Sequence, residues 1–122
     1  MTSQALQLAD DLFPAVWSGQ KLSTVRTGHR RIAPGTLVLE AASGTRPDTL
    51  VDVVQVLHAT LDTLPEKAVE MEGYPSRAAL FDALRRFYPA IVETSPVTLV
   101  AWKNARFPAW MIPAPSQLAR HA

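Results

Sequence analysis

The stretch Gly19-Gln20-Lys21-Leu22-Ser23-Thr24-Val25-Arg26 decides how the rest of the chain is read. It follows Asp10 to Ser18, where Leu12, Phe13, Val16 and Trp17 recur at helical spacing, so Gly19 marks the left-handed stop of one short helix. Beyond it, Leu22 to Val25 mixes β-branched and polar residues as a half-buried strand does, and alternation places Thr24 and Arg26 on the same face. An ammonium, a hydroxyl and a guanidinium therefore meet where one strand begins. Lys21 has a flexible stem that can swing its amine toward Thr24, and a lysine desolvated in a pocket can act as a base. Taken by spacing alone, the plainer reading of two surface cations and a strand-forming threonine is favoured over a Lys-activated hydroxyl nucleophile.

Reading outward, Thr27-Gly28 and Pro34-Gly35 are turn signals. Thr36 to Ala42 and Thr49 to Leu57 are rich in Val, Leu and Thr and flank a segment with Gly44 and Pro47, so they form a hairpin. Thr63-Leu64-Pro65-Glu66 reads as a capping box that opens a helix carrying Glu70 and Glu72, with Gly73 ending it. Ser76 begins another helix, in which Leu80, Leu84, Phe87 and Tyr88 share an apolar face, and Pro89 lies just past its end. Val97 to Trp102 is the last strand. From Asn104, the prolines at 108, 113 and 115 predict an irregular tail whose Phe107, Trp110, Met111 and Ile112 pack back over the domain or against a second copy. Hairpin-joined antiparallel strands with one two-helix excursion predict a small α+β domain. Its sheet, of about five strands, is expected to be curved or closed into a barrel.

The chain of 122 residues suits one domain, and a hydrophobic fraction of 48% with 19% charged residues is that of an ordinary globular protein. Without any cysteine, disulfides, thiolate metal sites and a cysteine nucleophile are excluded. No apolar run reaches the roughly 18 residues that span a bilayer. The N-terminal region, with Asp10 and Asp11 and no leading cation, does not read as a signal peptide, so no membrane partner and a cytoplasmic location are expected. The net charge of +1 is unevenly spread. From Leu12 through Leu39 there is no acid, while Lys21, Arg26, Arg30 and Arg31 fall inside with His29; the acids Asp62, Glu66, Glu70 and Glu72 gather later. This cationic stretch suits an anionic partner and is equally described as a solvated loop. The histidines at 29, 58 and 121 lack metal-ligand spacing, and no Walker or dinucleotide glycine pattern occurs, so neither metal nor cofactor is expected. His58, at a strand end, reads as structural.

The pattern Gly19-x-Lys21-x-x-Thr24-x-Arg26, preceded by Val16-Trp17-Ser18, resembles the signature of the ASCH domain family, which has a PUA-like β-barrel fold. The resemblance continues through Pro34-Gly35-Thr36, Leu61 to Leu64, Glu70-Met71-Glu72-Gly73-Tyr74, Tyr88-Pro89 and the strand Pro96 to Trp102. It covers about residues 6 to 103 and implies an ASCH domain over 1–103, with a Pro-rich tail over 104–122. Within the family, the pattern is most similar to the small bacterial amidohydrolases that deacetylate N4-acetylcytidine. That resemblance implies Lys21, Thr24 and Glu72 as catalytic residues, Glu72 being preferred to Glu70 because it immediately precedes Gly73-Tyr74. In this scheme Thr24 attacks the amide carbonyl, Lys21 takes its proton, and Glu72 protonates the leaving amine and then activates water. Arg26, Trp17 and Arg30 are the expected substrate-binding side chains. The family also contains members with other activities, and Leu22, Ser23 and the tail depart from the compact amidohydrolases. The alternatives are an RNA-binding or RNA-cleaving module using the same basic cleft and a ligand module without turnover. A pI of about 8.2 and only nine aromatics weigh against a dedicated nucleic-acid domain. Expected partners are thus a nucleoside-type small molecule or RNA, for a monomer or homodimer.

Overall fold

Six consecutive residues of the last strand, Val97 to Trp102, are buried, which requires cover on both faces of that strand. The computed structural model describes residues 4–108 and shows how this is met. Its elements are β1 (Gln4–Leu8), α1 (Phe13–Trp17, led by a 3-10 turn over Asp10–Leu12), β2 (Ser23–Thr27), β3 (Gly35–Ala41) and β4 (Thr49–Thr60). A second 3-10 turn (Leu61–Thr63), α2 (Glu66–Met71), α3 (Arg77–Arg85) and β5 (Pro96–Arg106) complete the order. The strands form one sheet in the order β1-β3-β4-β5-β2. Because β1 pairs only with β3 and β2 only with β5, the sheet is a curled half-barrel with two edges and not a closed barrel.

Parity along β5 divides the core in two. Val100 and Trp102 face α1 and the β1-β3-β4 side, packing with Phe13, Val16, Leu37, Leu39 and Val51. Val97 and Leu99 face the helical excursion, packing with Leu61, Leu64, Val69, Leu80 and Leu84. Thr98 is fully buried and uses its hydroxyl twice, donating to the Gly28 carbonyl (2.6 Å) and accepting from the Arg30 N–H (2.8 Å). This anchors the turn after β2 to the central strand.

The hairpin of β3 and β4, the strand carrying Thr24, and the helix from Ser76 follow the sequence reading; Ser76 Oγ accepts the Ala79 N–H as an N-cap. Four features depart from it. β1 was not anticipated: its alternation rests on Leu6 and Leu8 alone, too short to register, and its pairing with β3 is parallel where antiparallel pairs were expected. The capping box lies one turn earlier, at Thr60 and Thr63, because Thr63 Oγ1 accepts the Thr60 N–H (3.0 Å); α2 then starts at Glu66, with Pro65 as its N-cap and no side-chain cap. β5 continues to Arg106, past the Asn104 where an irregular tail was expected. There Asn104 takes a φ of 57° at a register shift, the left-handed geometry of a β-bulge. Its amide donates to Asp52, which also pairs with Arg106 at 3.0 Å, so side chains across the β4–β5 ladder carry the strand through the bulge. Phe107 then packs back on Trp17, with ring centroids 5.7 Å apart. The expectation for Trp110, Met111 and Ile112 lies outside the described residues. No helix among the described residues is long and apolar enough to cross a membrane.

Burial assigns the energetics. Leu37→Ala, at a fully buried position, is expected to cost about 2–5 kcal/mol. Val54→Ala, 52% exposed at the β4 bulge, is expected to change stability by less than about 0.5 kcal/mol. Urea unfolding of the two variants beside the parent checks the contrast.

Candidate active site

Two helix ends set the site. Gly19, at φ 81°, closes α1 with its N–H on the Val16 carbonyl, and the Lys21 N–H reaches back to the Ala15 carbonyl (2.9 Å). Gly73, at φ 82°, closes α2 in the same way, with the Tyr74 N–H bonded to the Val69 carbonyl (3.3 Å) in a Schellman return. These turns deliver Lys21 and Glu72 to one point, where Lys21 Nζ donates to Glu72 Oε2 at 2.8 Å. The side chains are only 12% and 3% exposed.

Burial raises the Glu72 carboxyl above its ordinary 4.5, and the Lys21 charge and hydrogen bond, the Arg26 charge and the nearby Ser23 hydroxyl pull it back down. Glu72 Oε1 and Ser23 Oγ are both buried without a hydrogen-bond partner of normal geometry, although they lie close enough for the hydroxyl to bias the carboxyl. One carboxylate oxygen is thus committed to the lysine, and the other lies buried beside the Ser23 hydroxyl. Thr24, 5% exposed, follows on β2, and Arg26 Nε donates to Thr24 Oγ1 at 3.2 Å, as their shared strand face requires. Burial lowers the proton affinity of Arg26; the Arg30 charge acts in the same direction, and the neighbouring Tyr88 and Glu72 oppose it. Tyr74 is raised above 10.0 by burial and by the Glu72 charge.

Lys21, Thr24, Arg26 and Glu72 line one cleft of about 240 Å³. Gln7 and Leu8 of β1 and Thr24 to Arg26 of β2 contribute from the two sheet edges, while Leu80, Ala83 and Leu84 of α3 and then Phe87 and Tyr88 close another side. The lining grades from charged at the Lys21–Glu72 end to apolar and aromatic. Such a pocket can hold a flat, partly polar ligand with its reactive group at the charged end.

The structure brings together Lys21, Thr24, Glu72 and Arg26 but not Trp17 or Arg30. The Trp17 indole N–H donates to the buried Thr49 Oγ1 (2.8 Å), and its ring packs on Phe13 and Phe107, which turns it away from the cleft. Arg30 Nε donates to the Thr27 carbonyl (3.2 Å), so its side chain folds onto its own turn. Sequence reasoning missed Tyr74, Phe87 and Tyr88 as cleft walls. The signal lay in the Leu80-Leu84-Phe87-Tyr88 face: Leu80 and Leu84 are buried as core, but Phe87 remains 45% exposed. His29 and His58, far apart in sequence, stack at 4.9 Å, and each Nε2 bonds a backbone carbonyl, of Ala59 and Arg30 respectively. No group of three or more His, Asp or Glu suited to a metal ion occurs among the described residues.

No protein-family model matches the chain, and no curated protein matches it by sequence. Solved structures do match in fold. The ASCH domain from Lactobacillus crispatus superposes with a TM-score of 0.62 at 15% identity, over 84% of this chain and 79% of that one. A protein of Enterococcus faecalis from a domain family of unknown function gives a TM-score of 0.67 at 12% identity, over 84% and 76%. A single-residue variant of the ASCH protein from Zymomonas mobilis gives 0.61 at 14%, over 82% of this chain and 66% of that one. The chain therefore has the ASCH fold, a small PUA-like α+β architecture.

The buried pair carries a pH signature. A carboxyl whose native pKa is raised contributes stability that is fully present below about 4.5 and is lost as pH rises through the native value. Lys21→Ala removes the cation that limits this rise, and at pH 7 it is expected to cost about 3–5 kcal/mol. Because the loss comes from an unpaired buried carboxylate, it should shrink as pH falls toward 4.5, and adding Glu72→Gln should remove the pH dependence. Urea unfolding from pH 4 to 8 reads both.

Proposed function

We propose that this ASCH-fold chain is an amidohydrolase acting on N4-acylated cytidine, with Thr24 as nucleophile and Lys21 and Glu72 as a proton-relay pair. The observation that carries this reading is the 2.8 Å contact between Lys21 Nζ and Glu72 Oε2, buried on the same cleft as Thr24. Across such a hydrogen bond, in a site that disfavours the charged carboxylate, one proton transfer converts the ion pair into an amine and a carboxylic acid. Those are the base and the acid that amide cleavage needs.

In the first half-reaction, Thr24 Oγ forms a bond to the acyl carbon and its proton passes to the Lys21 amine. The C–N4 bond then breaks, and the leaving cytosine amine takes the proton of the Glu72 carboxylic acid. The pair is now the ion pair seen in the structure. In the second, the Glu72 carboxylate accepts a proton from water as the water oxygen attacks the acyl ester, and Lys21 returns a proton to Thr24 Oγ as that bond breaks. Acid and nucleoside leave, and the neutral pair is restored. Arg26 Nε keeps Thr24 Oγ1 in place throughout. The cleft, at about 240 Å³, falls below the roughly 300–1,000 Å³ of drug-sized pockets, which suits one nucleoside more than a strand.

The RNA reading finds less support. Lys21 is neutralised by Glu72 and Arg30 is folded onto Thr27, which removes two of the cations that would meet phosphates.

Ultraviolet-monitored hydrolysis of N4-acetylcytidine near neutral pH tests the proposal. Glu72→Gln and Lys21→Ala should each lower kcat/KM by roughly 10²–10⁴, and Thr24→Ala should abolish turnover. A parent rate retained in Thr24→Ala would exclude the nucleophile. Absence of turnover by the parent, with strand binding that falls steeply as salt is added, would move the assignment to RNA.

A further inference from the structure

The charges lining the cleft do not cancel. Lys21 and Glu72 neutralise each other at 2.8 Å, and Arg26 is the remaining ionised side chain of the lining. Arg26 takes part in no ion pair among the described residues. Its Nε donates to Thr24 Oγ1, and the Tyr88 side chain lies within hydrogen-bonding reach beside it. The Glu72 charge is felt at this guanidinium, but Glu72 is committed to Lys21, and no carboxylate among the described residues lies within ion-pair distance of the terminal nitrogens at the wall of the cleft. Guanidinium groups withdrawn from water are ordinarily paired with carboxylates or phosphates, because an unpaired buried charge is costly. The Arg30 charge nearby adds to the positive potential and supplies no partner.

We infer that the missing partner belongs to the ligand: the cleft takes a substrate that carries a carboxylate or phosphate, held by the terminal nitrogens of Arg26. The fork of a guanidinium matches either group with two parallel hydrogen bonds. Because Nε sits on Thr24 Oγ1, the anion binds near the reacting atoms, and the inference extends the amidohydrolase reading from a neutral nucleoside to an anionic one. Two sources supply the same chemistry, a carboxylate on the acyl chain or a phosphate on the ribose. Recognition itself needs no turnover, so it is measurable apart from the reaction.

The test compares calorimetric binding of three compounds to the Thr24→Ala protein: N4-acetylcytidine, its 5′-monophosphate, and N4-succinylcytidine. At least one anionic compound should bind on the order of tenfold tighter than the neutral one, the scale of a charge-assisted bidentate contact. Adding Arg26→Gln should erase that preference, and Arg26→Lys should keep part of it. Whichever compound gains identifies the source as acyl carboxylate or phosphate. Equal affinity for all three would overturn the inference, as would an Arg26→Gln loss shared by neutral and anionic compounds alike. Parallel assays on the parent separate the two levels: selective binding of an anion without hydrolysis refutes the amidohydrolase reading and upholds anion recognition, whereas rapid hydrolysis without any charge preference does the reverse.

Discussion

The ion pair between Lys21 and Glu72 joins parts of the chain 51 residues apart, and the cleft is organised around it. One partner sits in the turn that leads into an edge strand, the other at the C-terminal end of α2, and the two elements share one apolar cluster through Val25, Ala68 and Val69. A pair this deeply buried is a poor source of net stability, since the cost of desolvating both charges offsets most of their attraction. Its value lies in placement. With the lysine held on one carboxylate oxygen, Lys21, Glu72 and the threonine next along line the same cleft. Burial raises the carboxyl, and the lysine pulls it back down.

The position of the cleft follows from the incomplete barrel. Sheet edges expose unpaired backbone groups and invite unwanted pairing, so proteins cover them. Here both edge strands, β1 and β2, turn toward a common opening, which α3 and the residues after it roof over. The curl depends on β5, whose two buried faces hold one core on each side, and on the register shifts along its ladder with β4. A closed barrel would have left no room between β1 and β2. The half-barrel converts its unpaired edges into the walls of a pocket.

Much of this was legible in the sequence because the decisive signals are local. Gly19 and Gly73 announce left-handed helix stops, Thr24 and Arg26 share a face by parity, and Ser76 caps a helix, and each of these rests on neighbours within a few residues. The pairing of Lys21 with Glu72 entered through family resemblance, since no spacing rule links two turns so distant. What sequence concealed was set by long-range contact. β1 is a strand only because β3 accepts it in parallel register, and its two buried leucines give too weak a pattern alone. Trp17 was assigned to the substrate because it adjoins the motif. Its indole instead satisfies the buried Thr49 hydroxyl from a strand 32 residues away.

Arg26 shows why a motif residue and a site residue are different things. The same strand parity that puts it beside Thr24 also sets it in a wall whose one acid, Glu72, is committed to Lys21, whereas Arg77, Arg86 and Arg106 each find a carboxylate at 3.0 Å or less. Those three are exposed enough to do without a partner, because water would solvate them. Arg26 is half-buried, and a fold that leaves it outside every ion pair among the described residues keeps an electrostatic demand open. Folding leaves that demand facing the cleft and beside Thr24, the proposed nucleophile, where a bound anion would satisfy it. Charge selection and chemistry would then depend on one strand face, and a substitution that neutralised Arg26 would alter which ligands enter before it altered how Thr24 reacts.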